Sequence, residues 1–267
     1  MAIRKRTRHC GSYGRSAKYI QVGYFSYTGR SMPKRRTRKQ AMSNPKQKRL
    51  NSKNAIRKCE AIIKANFGQD DYLLSPNYNP EHEPATIEDA KREIKNYINR
   101  LNYGAKKMGL PKVKALWVIE QGTKSGRIHQ HILIKTDLPR EFLEKKWGRG
   151  YCNADRIQMS RKNALDAIAQ YVMKSPKGNR RWNSTHNLVQ PWESVNDNPR
   201  MMSRRKVETL RKIPVDSEKA RAIIEGDNPG YIMTSLEKEY REEVGQWYFF
   251  ARLELAKNDS VGGERGS

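Results

Sequence analysis

His129-Gln130-His131 stands inside an alternating run from Ile128 to Lys135. Side chains of an extended segment alternate faces, so His129, His131 and Leu133 project to one side. Ile128, Gln130, Ile132 and Ile134 take the other. Two imidazoles side by side are poor core material and a good pair of metal ligands. A carboxylate on the neighbouring strand completes a facial N,N,O set, and Glu120 is the candidate. If the hairpin closes symmetrically about Lys124-Ser125, Glu120 lies directly across from His129 on the same face. A slip of one residue in register turns it away. In isolation a His-x-His is more often a surface pair beside an exposed glutamate.

Tyr171 is the second group. The spacing predicts a helix over Arg161–Lys174 with an apolar stripe of Ala164, Leu165, Ile168, Ala169 and Val172. Tyr171 sits at the edge of that stripe, where its ring rests on the sheet and its hydroxyl reaches a groove. Lys174 follows on the same flank. A phenol has a pKa near 10. To act as a nucleophile it needs a polarised phosphate and a neighbouring cation. Taken alone, Tyr171 is an ordinary amphipathic residue at a core boundary.

Those groups need a scaffold. A helix is expected from near Ser52 to before Gly68, then a strand from Asp71 to Ser75. Thr86 caps a helix running to about Lys107, and Gly109 and Pro111 stop it. Val113–Gln121 and Ile128–Lys135 read as a hairpin about the turn Gly122–Gly126. A short helix from Pro139 to Trp147, a strand from Tyr151 to Ile157 and the Tyr171 helix follow. This order predicts an α+β fold, a small antiparallel sheet covered by helices. Residues 1–53 read as a basic DNA-binding arm, 54–192 as the catalytic domain, and 193–267 as an extension. The extension opens on a polar linker around Gln190–Arg200. It continues in a helix bearing Leu236, Tyr240, Val244, Trp247 and Tyr248, and ends in a disordered tail.

The formal net charge is +26, and residues 1–60 hold 18 Lys/Arg against one acid, Glu60. Such a field attracts polyanions. Ribosomal and chromatin-like proteins share it, so charge alone does not name a function. Pro33 to Lys39, with Lys34, Arg35, Arg36, Arg38 and Lys39, reads as a phosphate-binding arm. Cys10, Cys59 and Cys152 have no paired spacing, which argues against a disulfide framework or zinc knuckle. No stretch is long and apolar enough to span a membrane, and no signal peptide is evident, so a cytoplasmic location is expected. There is no Gly-rich nucleotide-binding loop of the Gly-x-x-x-x-Gly-Lys-Ser/Thr type.

The ordered set of Glu120, Gly126-Arg127, Ile128-His-Gln-His-Ile-Leu-Ile134 and Tyr171-Val-Met-Lys174 resembles the rolling-circle replication initiators of the HUH endonuclease superfamily. It is most similar to the single-tyrosine Rep proteins of bacterial plasmids and small DNA phages. Asp71 to Tyr78 stands where their first motif stands, and Arg180-Arg-Trp-Asn-Ser-Thr-His-Asn-Leu188 resembles a segment that follows their tyrosine motif. The likeness covers residues 58–192. Gln130 departs from it, since a hydrophobic residue usually separates the histidines. The resemblance implies the ferredoxin-like HUH fold, with Mg²⁺ or Mn²⁺ held by Glu120, His129 and His131, Tyr171 as nucleophile and Lys174 stabilising charge. It also implies a 5′-phosphotyrosyl intermediate on origin single-stranded DNA, hairpin in form, with a host helicase and polymerase as further partners. Arg127, Arg180, Arg181 and Trp182 would grip DNA, Trp182 either by stacking on a base or by packing at a domain edge. Two alternatives remain at this level: a transposase or relaxase of the same superfamily, and a non-enzymatic basic nucleic-acid-binding protein.

Overall fold

The apolar run Ala115–Ile119 within Lys114–Gln121 (β4) and the alternating run Ile128–Lys135 (β5) form an antiparallel hairpin in register Glu120↔His129, Val118↔His131 and Leu116↔Leu133. The protein is seen in a computed structural model that describes residues 2–13, 16–27, 45–122, 126–158, 164–172, 181–196, 198, 202–242 and 245–256. The chain divides into two units, one of Lys39–Gln190 and one assembled from Met1–Arg38 and Pro191–Ser267.

In the Lys39–Gln190 unit, β4 and β5 join Tyr72–Pro76 (β3), Cys152–Arg156 (β6) and the two-residue strand Asn183–Ser184 (β7). The sheet order is β6-β3-β5-β4-β7, and every pairing is antiparallel. One face carries Tyr72, Leu74, Ala115, Trp117, Ile119, Ile128, Ile132 and Ile134. It packs on Ile94, Tyr97, Ile98 and Leu101 of Ile87–Lys107 (α2) and on Leu143 and Trp147 of Arg140–Trp147 (α3). The expected cap is present: the Thr86 hydroxyl accepts from the Asp89 N–H at 3.1 Å. Two buried polar tips are satisfied at the same layer, Tyr97 Oη donating to Leu143 O and Trp147 Nε1 to Asn77 O, both at 2.8 Å. Gly104 on α2 is required by close approach, because a Cβ there would collide with the Phe142 ring.

The opposite face of β4 and β5 holds the buried Leu116, Val118 and Leu133, with His131 in the same row. Ala164–Val172 (α4) lies over it and pairs with Pro45–Asn66 (α1). The Lys64 ammonium and the Asp166 carboxylate join the two helices at 2.8 Å, with side chains only 4% and 6% exposed.

The α+β class agrees with expectation, but both ends of the chain differ from it. Residues 1–53 are not an arm throughout. Ala2–Cys10 (β1) and Tyr19–Tyr27 (β2) are strands, and α1 begins at Pro45. Their basic composition masked a period-two signal: Ile20, Val22 and Tyr24 alternate into a core, and all three are buried. Proline at the first helical position, tolerated because its N–H would be unpaired there anyway, marks the true start of α1.

The polar stretch near Gln190 contains strand Trp192–Asn196 (β8), paired with β1. The expected C-terminal helix is a hairpin of Tyr231–Arg241 (β9) and Gln246–Leu255 (β10). Leu236 and Tyr240 are spaced by four, which fits a helical face and, being even, a strand face equally, while Val244 lies outside the described residues. The β-branched and aromatic content around them decides for the strand. Helices do occur earlier, at Arg204–Lys212 (α5) and Glu218–Gly226 (α6), capped by Ser203 and Ser217. The second sheet runs β8-β1-β2-β10-β9 and buries Ile20, Val22, Tyr24, Phe249 and Leu253 against Leu210 of α5 and Ile224 of α6.

Candidate functional site

The β4–β5 pairing puts Glu120 directly opposite His129, the register expected of a symmetric hairpin. His131 is two residues on, on the same face. His129 is exposed, and Glu120 and His131 are half-buried. Burial pushes the His131 imidazole below its ordinary 6.5; the Glu120 charge opposes that shift and His129 adds to it. The ring is therefore held neutral near pH 7, the form that binds a metal. Its Nδ1 is buried with no hydrogen-bond partner among the described residues.

Helix α4 brings Tyr171 to this face. The Tyr171 and His131 ring centroids lie 4.9 Å apart with the planes tilted by 57°. Tyr171 remains 54% exposed. The apolar edge of α4, Leu165 and Ala169, is buried and fixes which way the helix turns Tyr171.

Two imidazoles, one of them with an unsatisfied ring nitrogen, and one carboxylate suit a divalent cation in donor chemistry. Among the described residues no three His, Cys, Asp or Glu side chains converge on one point as they stand. The register sets Glu120 directly opposite His129, with His131 next on the same face.

Gln130 faces away from the histidines, as alternation demands. It is 1% exposed, and its amide donates to Pro76 O at 3.3 Å. Burial pushes the nearby Tyr78 phenol up to about 12, and the Gln130 side chain beside it opposes that shift. The core layer thus accepts an amide in a row of apolar side chains.

Of the expected DNA contacts, Arg127 donates to Tyr78 O at 3.3 Å and pairs with Glu83 at 3.4 Å. Arg181 donates to Ser52 Oγ of α1 at 2.8 Å. Trp182 is half-buried just before β7, whose Asn183 and Ser184 pair with Trp117 and Leu116. Thr185 then accepts from the Ala115 N–H at 3.0 Å. The segment after Tyr171 therefore serves partly as an edge of the sheet that carries the histidines. Lys174, Arg180, Lys34, Arg35, Arg36, Arg38 and Lys39 lie outside the described residues.

The sequence did not point to Lys64 and Asp166, which anchor the tyrosine helix from 102 residues apart. A lysine on the apolar side of α1, beside the buried Cys59, Ile62 and Ile63, was the available signal, since an ammonium there demands a partner.

No curated protein and no solved structure matches the chain. No helix among the described residues is long and apolar enough to cross a membrane. A family model does match: that of the replication-associated proteins of the ORF2 type, over residues 72–176. The matched segment contains Glu120, His129, His131, Tyr171 and Lys174. Over those residues, which make up less than half of its length, the chain is similar to this replication-associated protein family, consistent with a rolling-circle replication initiator.

Proposed function

We propose that this protein nicks and rejoins single-stranded DNA at a replication origin, with Tyr171 as the nucleophile. The observation that supports this most is the 4.9 Å approach of the Tyr171 ring to His131, on the strand face shared with His129 and Glu120. The family match favours an initiator over a transposase or relaxase of similar chemistry.

Glu120, His129 and His131 are the residues that would hold Mg²⁺ or Mn²⁺, and nitrogen donors favour Mn²⁺. Bound there, the ion supplies Lewis-acid polarisation of a non-bridging oxygen of the scissile phosphate. Tyr171 Oη attacks phosphorus. The Oη–P bond forms, the P–O3′ bond breaks, the phenolic proton is released and the 3′ oxygen ends as a 3′-hydroxyl. The 5′-phosphotyrosyl link conserves the bond energy, so a 3′-hydroxyl can reverse the step and seal ends without ATP. Lys174 stabilises the charge that develops on the phosphate. Arg127, Arg180, Arg181 and Trp182 hold the strand near the tyrosine, and Lys34, Arg35, Arg36, Arg38 and Lys39 add phosphate contacts. The freed 3′-hydroxyl suits extension by a host polymerase, with a host helicase opening the duplex in the cytoplasm.

The test is a covalent-adduct assay. Protein incubated with origin single strands and Mn²⁺ gives a DNA-shifted band on a denaturing gel. The band disappears in Tyr171→Phe and with chelator. An adduct of undiminished yield in Tyr171→Phe assigns the nucleophile elsewhere and rejects the proposal.

A further inference from the structure

In the unit formed by Met1–Arg38 and Pro191–Ser267, α5 and α6 pack on one face of the second sheet. The residues of the other face follow from register. Arg4↔Phe25, Arg6↔Gly23 and Arg8↔Gln21 pair across β1 and β2, and Phe25↔Tyr248, Gly23↔Phe250 and Gln21↔Arg252 across β2 and β10. Arginine and aromatic side chains thus share one face, which is buried at Gln21 and Arg252 and partly open around Gly23, Phe25, Tyr248 and Phe250. Phe25 and Tyr248 stack in near-parallel planes, 5.8 Å apart at 8°. Arg241 lies 3.6 Å from the Tyr248 centroid, Arg252 5.0 Å from Phe250 and Arg6 5.8 Å from Phe25. Phe25, Tyr248 and Phe250 all stay partly exposed.

Gly23 stands at the middle of this surface, on the central strand. Glycine weakens a strand interior and there often marks a place where a ligand comes close. Neither conformation nor packing asks for it here. Its φ is not in the left-handed range, and a Cβ would meet no atom within 4 Å among the described residues. The result is a shallow hollow bounded by Phe25 along the strand, Phe250 on one neighbour and Arg6 on the other.

We infer that this face is a binding platform for single-stranded DNA, with bases stacking on Phe25, Tyr248 and Phe250 over the Gly23 hollow and phosphates meeting the arginines of β1. Stacking on aromatic planes tolerates any base, and arginine adds both a π surface and phosphate contacts. Arg4, Arg6 and Arg8 recur every second residue, roughly 6.6 Å apart along the strand, and so form a rail rather than a point charge. Acids stand on the face as well: Glu193 binds Arg8 at 2.6 Å and lies 3.9 Å from Arg6, Glu237 binds Arg252 at 2.5 Å, and Glu239 lies across from Tyr248, so a phosphate competes with Glu193 for Arg6 and Arg8. The platform stands on residues of this unit and needs no nicking chemistry; only the choice of DNA over RNA rests on the replication reading. It gives the initiator a second grip on an unwound strand.

The experiment measures fluorescence anisotropy of a labelled oligo(dT) with the full-length chain carrying Tyr171→Phe, in EDTA, so that no cleavage enters. Gly23→Val fills the hollow with a residue suited to a strand and should leave Tm unchanged or raised while weakening binding about tenfold. Phe25→Leu and Phe250→Leu should each weaken it by a similar factor. Gly23→Val with parental Tm and parental affinity overturns the proposal. So does oligo(rU) binding at least as tightly with the same sensitivity to the variants. A Gly23→Val protein that loses self-association in sedimentation but keeps its oligo(dT) affinity overturns it too, since the face is then a contact between copies. Because the assay is free of metal and of the Tyr171 hydroxyl, its outcome is independent of the adduct assay.

Discussion

Replacing Lys64 by methionine tests how α4, and Tyr171 with it, is held over the sheet. The Lys64 and Asp166 side chains are 4% and 6% exposed and meet at 2.8 Å. Water screens such a pair little. Removing one partner of a buried ion pair strands the other charge and costs about 3–5 kcal/mol, whereas replacing both by apolar groups of similar size is close to neutral. For a unit of this size each kcal/mol moves Tm by about 2–4 °C, so Lys64→Met should lower the melting point of the Lys39–Gln190 unit by about 6–20 °C. Thermal melts followed by calorimetry provide the comparison, and the adduct assay at a temperature where the single variant stays folded reads the position of Tyr171. A single variant within about 1 kcal/mol of the parent would refute the reasoning.

Glu120→Gln and His129→Ala should each raise the Mn²⁺ concentration needed for adduct formation by about tenfold or more, since even outer-shell partners of metal ligands are worth that much; a manganese titration of adduct yield checks this. Gly104→Ala should destabilise the unit by about 1–3 kcal/mol, because the added methyl collides with Phe142, and a urea melt measures it. Thr86→Ala should cost about 1 kcal/mol in the same assay through loss of the cap to Asp89 N–H. The imidazole of His9 is stacked on Trp192 at 3.7 Å, and burial, aided by Lys5, holds it below its ordinary 6.5. The unfolded chain therefore takes up the proton first. Stability is fully present above pH 6.5 and declines as pH falls from there toward the lowered folded value. His9→Phe, which keeps a ring on Trp192, should flatten that part of the melting-temperature profile relative to the parent.

The constellation of Glu120, His129 and His131 was legible in the chain because the strand period is two and the hairpin is local. Alternation assigned the faces, and a symmetric turn between Gln121 and Ile128 left one sensible register, which the fold adopts. The start of α2 and the burial of its apolar face were legible for the same reason: Thr86 and the helical spacing act within a few residues. What had to wait for tertiary structure is everything set by distant partners. That Tyr171 meets His131, and that Lys64 finds Asp166, depends on how α1 and α4 cross the sheet, which no local rule specifies. The ends of the chain were misread because charge dominates their composition, while their backbone hydrogen bonds are satisfied only when β1 and β2 pair with strands far along the chain, as in Lys5↔Asn196 and Tyr24↔Phe249. Such pairing lets an extended basic segment bury Ile20, Val22 and Tyr24, and it turned an expected arm and helix into one sheet.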